Sequence, residues 1–106
     1  MYNNYYVYIL SNNYGTVYYT GVTNDLERRI SEHKEGKIPG FTKKYNCHKL
    51  IYFETYSAIE QALEREKKLK KLSRVNKDKL INTINPERKD LLPKWDTLGP
   101  SGLGMT

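Results

Sequence analysis

One cysteine, Cys47, is all that the 106 residues contain. No intramolecular disulfide can form, and a zinc site built on thiolates lacks its ligands. Such a chain suits a reducing compartment, so a cytoplasmic location is expected. No apolar run approaches the ~20 residues that cross a bilayer. The N-terminus has neither the basic nor the apolar region of a secretory signal. Acids and strong bases are absent before Asp25, and no internal repeat interrupts the chain. A length of 106 residues allows one domain with one modest core.

What is present is unevenly spread. Seven of the ten tyrosines precede Asp25, whereas eight basic residues and only two acids, Glu66 and Asp78, lie between Arg65 and Lys79. Eighteen Lys plus Arg against twelve Asp plus Glu give a net charge of +6 and a pI near 9.4. That balance favours polyanionic partners, nucleic acid or an anionic surface. An aromatic sheet and a basic helix carrying Lys67, Lys68, Lys71 and Arg74 would form the floor and rim of a nucleic-acid groove. The plainer alternative is that the tyrosines are strand formers and the lysines a solvated helix face.

The pattern "YYVYILS" predicts a strand over residues 5–11. An Asn/Gly turn at 12–15 leads to a returning strand over 16–20, which Gly21 is expected to end. Asn24 and Glu27 have the spacing of a capping box, predicting a helix over 25–35 with Gly36 as its stop. Residues 36–47 read as a loop with room for one helical turn, and "HKLIYFETY" as a third strand over 48–56. Ser57 and Glu60 form a second capping box opening a helix to about residue 72. A shorter helix over 75–84 ends before Asn85-Pro86. The order β-β-α-β-α-α implies an α+β fold, a small three-stranded antiparallel sheet flanked by helices. The domain is expected over 1–92, with a disordered tail over 93–106.

At ~100° per residue, Arg29 and His33 share the face of Leu26 and Ile30, while Arg28 points the other way. An inward guanidinium needs a partner, because an unpaired buried charge is costly. In the next helix Glu66 falls in the stripe of Ile59, Ala62 and Leu63, with Glu60 and Glu64 on the polar side. Its carboxylate must meet a cation, either a protein group or a metal. A pair with Lys70 one turn on contributes only ~0.2–0.5 kcal/mol. Two inward charges on separate helices mark an internal salt bridge or an active site. His33 is a candidate proton carrier or phosphate ligand, or a structural residue. His48 has no comparable setting, and Cys47 has nothing to activate it.

At these residues the chain resembles the GIY-YIG nuclease superfamily, in particular its small standalone bacterial members. Tyr6-Val7-Tyr8 corresponds to the first motif, with Tyr6 in place of glycine, and Tyr19-Thr20-Gly21 to the second. "NDLERRISEH" is similar to the arginine helix, "GFTKKY" and "LIYFE" to the standalone subfamily, and "ALEREKKLK" to the segment carrying the metal-binding glutamate. "NPERKDL" extends the likeness, which spans roughly residues 5–92. Val22 stands where some relatives carry lysine.

The resemblance implies a catalytic set of Tyr8, Tyr19, Arg29, His33 and Glu66, and one divalent cation, Mg²⁺ or Mn²⁺, at Glu66. The implied reaction is endonucleolytic hydrolysis of phosphodiester bonds in DNA, structure-selective or nonspecific, in repair or processing. RNA is a possible substrate; no membrane partner and no small-molecule cofactor are expected. Glu66 would hold the cation near the leaving oxygen, and Arg29 would neutralise the phosphorane. Tyr8 or Tyr19 would deprotonate water, assisted by His33. The rivals are a nucleic-acid-binding module of the same fold that cleaves weakly, and a protein-interaction domain whose inward charges form a plain salt bridge.

Overall fold

The computed structural model describes residues 4–91; the expected tail over 93–106 and the outermost residues of the expected domain lie outside them. Three strands, β1 (Tyr5–Ser11), β2 (Tyr18–Thr23) and β3 (Lys49–Tyr56), form one antiparallel sheet in the order β2-β1-β3. Among the described residues four helices accompany it: α1 (Leu26–Lys34), α2 (Phe41–Lys44), α3 (Ile59–Lys71) and α4 (Arg74–Asn82). The fold is the expected α+β sheet flanked by helices.

Strand β1 is central and is covered on both faces. Side chains alternate along a strand, so Val7 and Ile9 pack with Ile51, Ala62, Leu69 and Ile81, under α3 and α4. Tyr8 and Leu10 point the opposite way, to Leu26, Ile30, Cys47 and Leu50, under α1. The two helical layers therefore approach the sheet from opposite sides and meet only around its edges. Cys47 is a fully buried free thiol within the α1-side core.

Several boundaries differ from the sequence pattern. The first turn is wider than four residues because the Asn12 side chain spans it, its Oδ1 accepting from the backbone of Thr16 at 2.9 Å and Val17 at 3.2 Å. Pairing resumes at Ser11 opposite Tyr18 and continues through Gly21 to Thr23. Gly21 thus lies inside β2 instead of ending a strand. The cap of α1 is Asp25, not Asn24, since its carboxylate accepts from Arg28 N at 3.2 Å. Gly36 follows the helix at φ +70°, the left-handed stop that the sequence predicts. Helix α3 starts after Ala58 with no side-chain cap, so the Ser57 box does not form. Ser73 caps α4, which ends at Asn82, earlier than the proline signal. Asn85 explains the early stop: it is buried, its amide donating to Ile51 O and Lys89 O.

Candidate active site at the edge of strand β2

Tyr8 opposes Gly21 across the β1–β2 ladder. A Cβ at Gly21 would lie 2.5 Å from Tyr8 Oη and 2.6 Å from Cζ. Glycine is required here so that the Tyr8 ring can lie across the neighbouring strand and carry its hydroxyl towards the β2 edge. Burial raises the phenol well above its ordinary value of 10, with Tyr19 and Glu66 acting the same way and Arg29 opposing them. Groups from both helical layers thus act electrostatically on one buried hydroxyl: Arg29 from α1 and Glu66 from α3.

His33 lies beneath that hydroxyl, its Nε2 3.3 Å from Tyr8 Oη and its Nδ1 2.8 Å from Thr42 Oγ1. Burial, aided by Arg29 and opposed by Glu32, lowers its pKa from 6.5 to about 4. The ring is therefore neutral at neutral pH, with one nitrogen able to accept a proton. Tyr19 stands over the pair, its ring 6.4 Å from that of Tyr8 and 5.8 Å from that of His33.

The two arginines of α1 separate as their phases predict. Arg28 is exposed and bound to Asp25 at 3.4 Å and Glu32 at 3.5 Å. Arg29 is 37 % exposed, yet its Nε is buried and has no hydrogen-bond partner among the described residues. The Glu32 carboxylate is 3.8 Å from it, too far to satisfy the N–H. The guanidinium lines a groove with Tyr5, Val22, Thr23, Asn24 and Ile59. An unsatisfied donor there matches an anionic acceptor.

Glu66 is 16 % exposed and pairs with Lys70 at 3.3 Å. Among the described residues no three His, Cys, Asp or Glu side chains cluster as a metal cage. A single carboxylate still fits a hard cation that keeps its waters and takes further ligands from phosphate. Leu63, placed in the apolar stripe by phase, is exposed; the buried line runs through Ala62 and Leu69, with Arg65 and Glu66 half-buried between them. The cause is Glu54 on β3, which accepts from Arg65 at 2.9 and 3.0 Å and draws that side of the helix inward.

The expected basic rim divides. Lys67, Lys68 and Lys71 are exposed on α3, with Lys68 near Glu64 at 3.8 Å. Arg74 is engaged within the molecule: it donates to Gly15 O and Thr16 O, covers the Tyr18 ring at 3.6 Å and pairs with Asp78 at 3.5 Å. Lys70 and Lys77 instead line a groove with Tyr18, Tyr19, Thr20 and Phe41. Helical phase could have found Lys70, which shares the face of Glu66; no sequence signal linked Lys77 or Thr42 to the tyrosines. Tyr6, where the motif has glycine, has no positive φ and packs edge-on against Phe53 at 6.3 Å, so a side chain is tolerated there. Val22 packs against the α3-side core and reaches the Arg29 groove.

Residues 4–79 match the GIY-YIG catalytic domain. The chain is 37 % identical over 91 residues to the UPF0213 protein of Bacillus licheniformis, covering 86 % of this chain and 93 % of that one. It is 42 % identical over 84 residues to the UPF0213 protein of Syntrophus aciditrophicus, covering 78 % and 94 %. The fold is similar to the solution NMR structure of a UPF0213 protein from Bacillus halodurans, with a TM-score of 0.53 and 33 % identity over 82 % of this chain and 92 % of that one.

Proposed function

Because the chain belongs to the GIY-YIG nuclease family, we propose that it is a divalent-metal-dependent endonuclease that hydrolyses phosphodiester bonds in DNA, structure-selective or indifferent to sequence, in repair or processing. The observation that carries this reading is the buried Nε of Arg29, without a hydrogen-bond partner among the described residues, on a side chain that lines a groove with Val22 and Thr23 of β2. A guanidinium donor left unsatisfied in a protein interior is costly, and a phosphate oxygen supplies the missing acceptor with matching geometry.

The chain's own groups support a proton path. With the imidazole proton on Nδ1 donated to Thr42 Oγ1, Nε2 accepts from Tyr8 Oη. Tyr8 keeps its proton at neutrality because burial disfavours the phenolate. It therefore acts as a relay: Oη takes a proton from the attacking water while passing its own to His33. The water oxygen bonds to phosphorus, the P–O3′ bond breaks, the leaving 3′ oxygen takes a proton from solvent, and His33 returns its own to solvent. Arg29 neutralises the equatorial oxygens as their charge grows. Tyr19 closes the side of this centre. Glu66 would hold the divalent cation once Lys70 yields its place. When bound, Mg²⁺ or Mn²⁺ supplies Lewis-acid stabilisation of the developing oxyanion.

The test is cleavage of a labelled panel of single strands, flaps, gaps, abasic sites and duplexes, in DNA and RNA, with Mg²⁺, Mn²⁺ or EDTA. Metal-dependent products from a DNA substrate, lost in Arg29→Ala, support the proposal. Binding without cleavage under every metal condition would instead identify a binding module of the same fold.

A further inference from the structure

Helix α2 and its C-cap place two large rings in water. Phe41 is 45 % and Tyr45 is 41 % exposed, with their centroids 4.7 Å apart. The buried residue of α2 is Thr42, the partner of His33. Phe41 also stacks on Tyr19, centroids 6.1 Å apart and planes 29° from parallel. Ring contacts thus run from the buried Tyr8–His33 pair, through Tyr19, to Phe41 and Tyr45 at the exterior. Cations border their outer part. Lys44 Nζ is 5.4 Å from the Tyr45 ring centre, and Lys70 and Lys77 line the groove of about 290 Å³ that Phe41 shares with Tyr19.

Phe41 rests on Tyr19 and Tyr45 on Phe41, yet each leaves two-fifths or more of its surface in water. Exposed apolar rings bordered by polar groups mark a binding surface. The cations select a phosphate-bearing occupant, and the rings select one with an open π-face. Within a duplex the base faces are covered by their neighbours, whereas unpaired bases can stack on aromatic side chains. We propose that Phe41 and Tyr45 form a platform for an unpaired nucleobase, with Lys44, Lys70 and Lys77 receiving the phosphates of the same strand. The strand is then single-stranded beside the bond presented to Tyr8 and Arg29. This deepens the nuclease reading and rests on it for the identity of the reacting bond.

The experiment measures binding in EDTA, where no cleavage intervenes. The probe is a short DNA oligomer with one 2-aminopurine, used single-stranded and as a blunt duplex. Wild-type protein is expected to prefer the single strand and to quench the fluorophore as the base stacks. Loss of stacking costs about 1–3 kcal/mol per base, so Phe41→Leu and Tyr45→Leu should each weaken single-strand binding about 5- to 150-fold. Both should relieve the quenching and leave duplex binding unchanged. Phe41→Tyr should restore both signals, and unaltered thermal melting of the leucine variants would show that the fold is intact. Equal affinity of the double leucine variant, or a wild-type preference for the blunt duplex, would overturn the platform. An RNA oligomer of the same sequence that binds and quenches alike also supports it and shows that the sugar is not read. Quenching without cleavage when Mg²⁺ or Mn²⁺ is added would end the nuclease reading while leaving the platform standing. Single-strand cleavage untouched by the double leucine substitution would do the reverse.

Discussion

Arg28 and Arg29 are adjacent, carry the same group and differ only in what surrounds them. Two carboxylates already neutralise Arg28 at the surface, whereas the Nε of Arg29 waits for an acceptor. Arg29→Ala is expected to lower kcat at least 100-fold, the scale of losing one oxyanion donor, while Arg28→Ala stays within a few-fold of wild type. Glu66→Gln and Glu64→Gln should diverge in the same way, because Glu66 is largely buried and Glu64 is exposed. Steady-state kinetics on one oligonucleotide measure all four variants. Equal losses at 28 and 29 would disprove the assignment.

His33 makes a prediction in pH. Its folded-state pKa is lowered from 6.5 to about 4, so between these values the unfolded chain binds the additional proton. Stability contributed by the neutral ring is complete above 6.5 and declines as the pH falls towards 4. Urea titrations across that interval should show this slope, flattened in His33→Gln. Protonation also removes the acceptor at Nε2, so the acid limb of the cleavage profile is expected near 4 and not near 6.5. A limb at 6.5 would mean that His33 is not the proton acceptor. Gly21→Ala tests the same hydroxyl from the other side, since the added methyl meets Tyr8 Oη and Cζ. It should reduce kcat more than KM.

At the scale of elements, β3 and α3 are joined by Glu54, which accepts from both Tyr52 and Tyr56 hydroxyls as well as from Arg65. Burial pushes its pKa up, but the hydrogen bonds from Arg65, Tyr52 and Tyr56 outweigh it and hold the carboxyl below 4.5. Its contribution to stability is therefore present above pH 4.5 and is lost as the pH falls through the depressed folded value. Glu54→Ala leaves three donors without their acceptor and should destabilise by about 2 kcal/mol, read from the urea midpoint.

That anchor also accounts for what the sequence could and could not disclose. The order of elements, the sheet and the inward phases of Arg29 and Glu66 follow from local period, because each helix buries one stripe. The inward turn of Arg65 and the exposure of Leu63 do not follow, since both depend on a partner eleven residues away on another element. Caps missed by one residue for a related reason: Asp25, held by Thr23 Oγ1 at 3.1 Å, competes with Asn24 for the same helix end. The Thr42–His33 contact joins two elements across a loop whose path no periodicity describes.

For the whole molecule, the +6 charge implies nucleic-acid affinity that falls with salt. The expected slope of log K on log salt is about −0.9 per phosphate neutralised on duplex DNA and about −0.7 on single strands. Reversing Lys67, Lys68 and Lys71 to Glu should weaken binding alike for every sequence and flatten that slope. Reversing Lys70 and Lys77 should in addition impair cleavage, because these two border Tyr19. Fluorescence anisotropy at several salt concentrations separates the two sets, and a triple variant that binds normally at low salt would place that side of α3 away from the strand.

The burial of β1 on both faces and both edges has a further consequence for the order of folding. Its partner β2 follows after a six-residue connection, but β3 begins only at Lys49, whose pairing with Ser11 spans 38 residues. During synthesis the first hairpin must therefore wait with the N–H and C=O groups of one β1 edge unpaired, and the sheet is complete only after β3 has left the ribosome. In the finished protein the backbone amides of Val7 to Leu10 should exchange with deuterium only through global opening, while those of Asn13 and Tyr14, at the tip of the loop that Asn12 ties together, exchange early. Early exchange along β1 would show that the sheet opens from its centre.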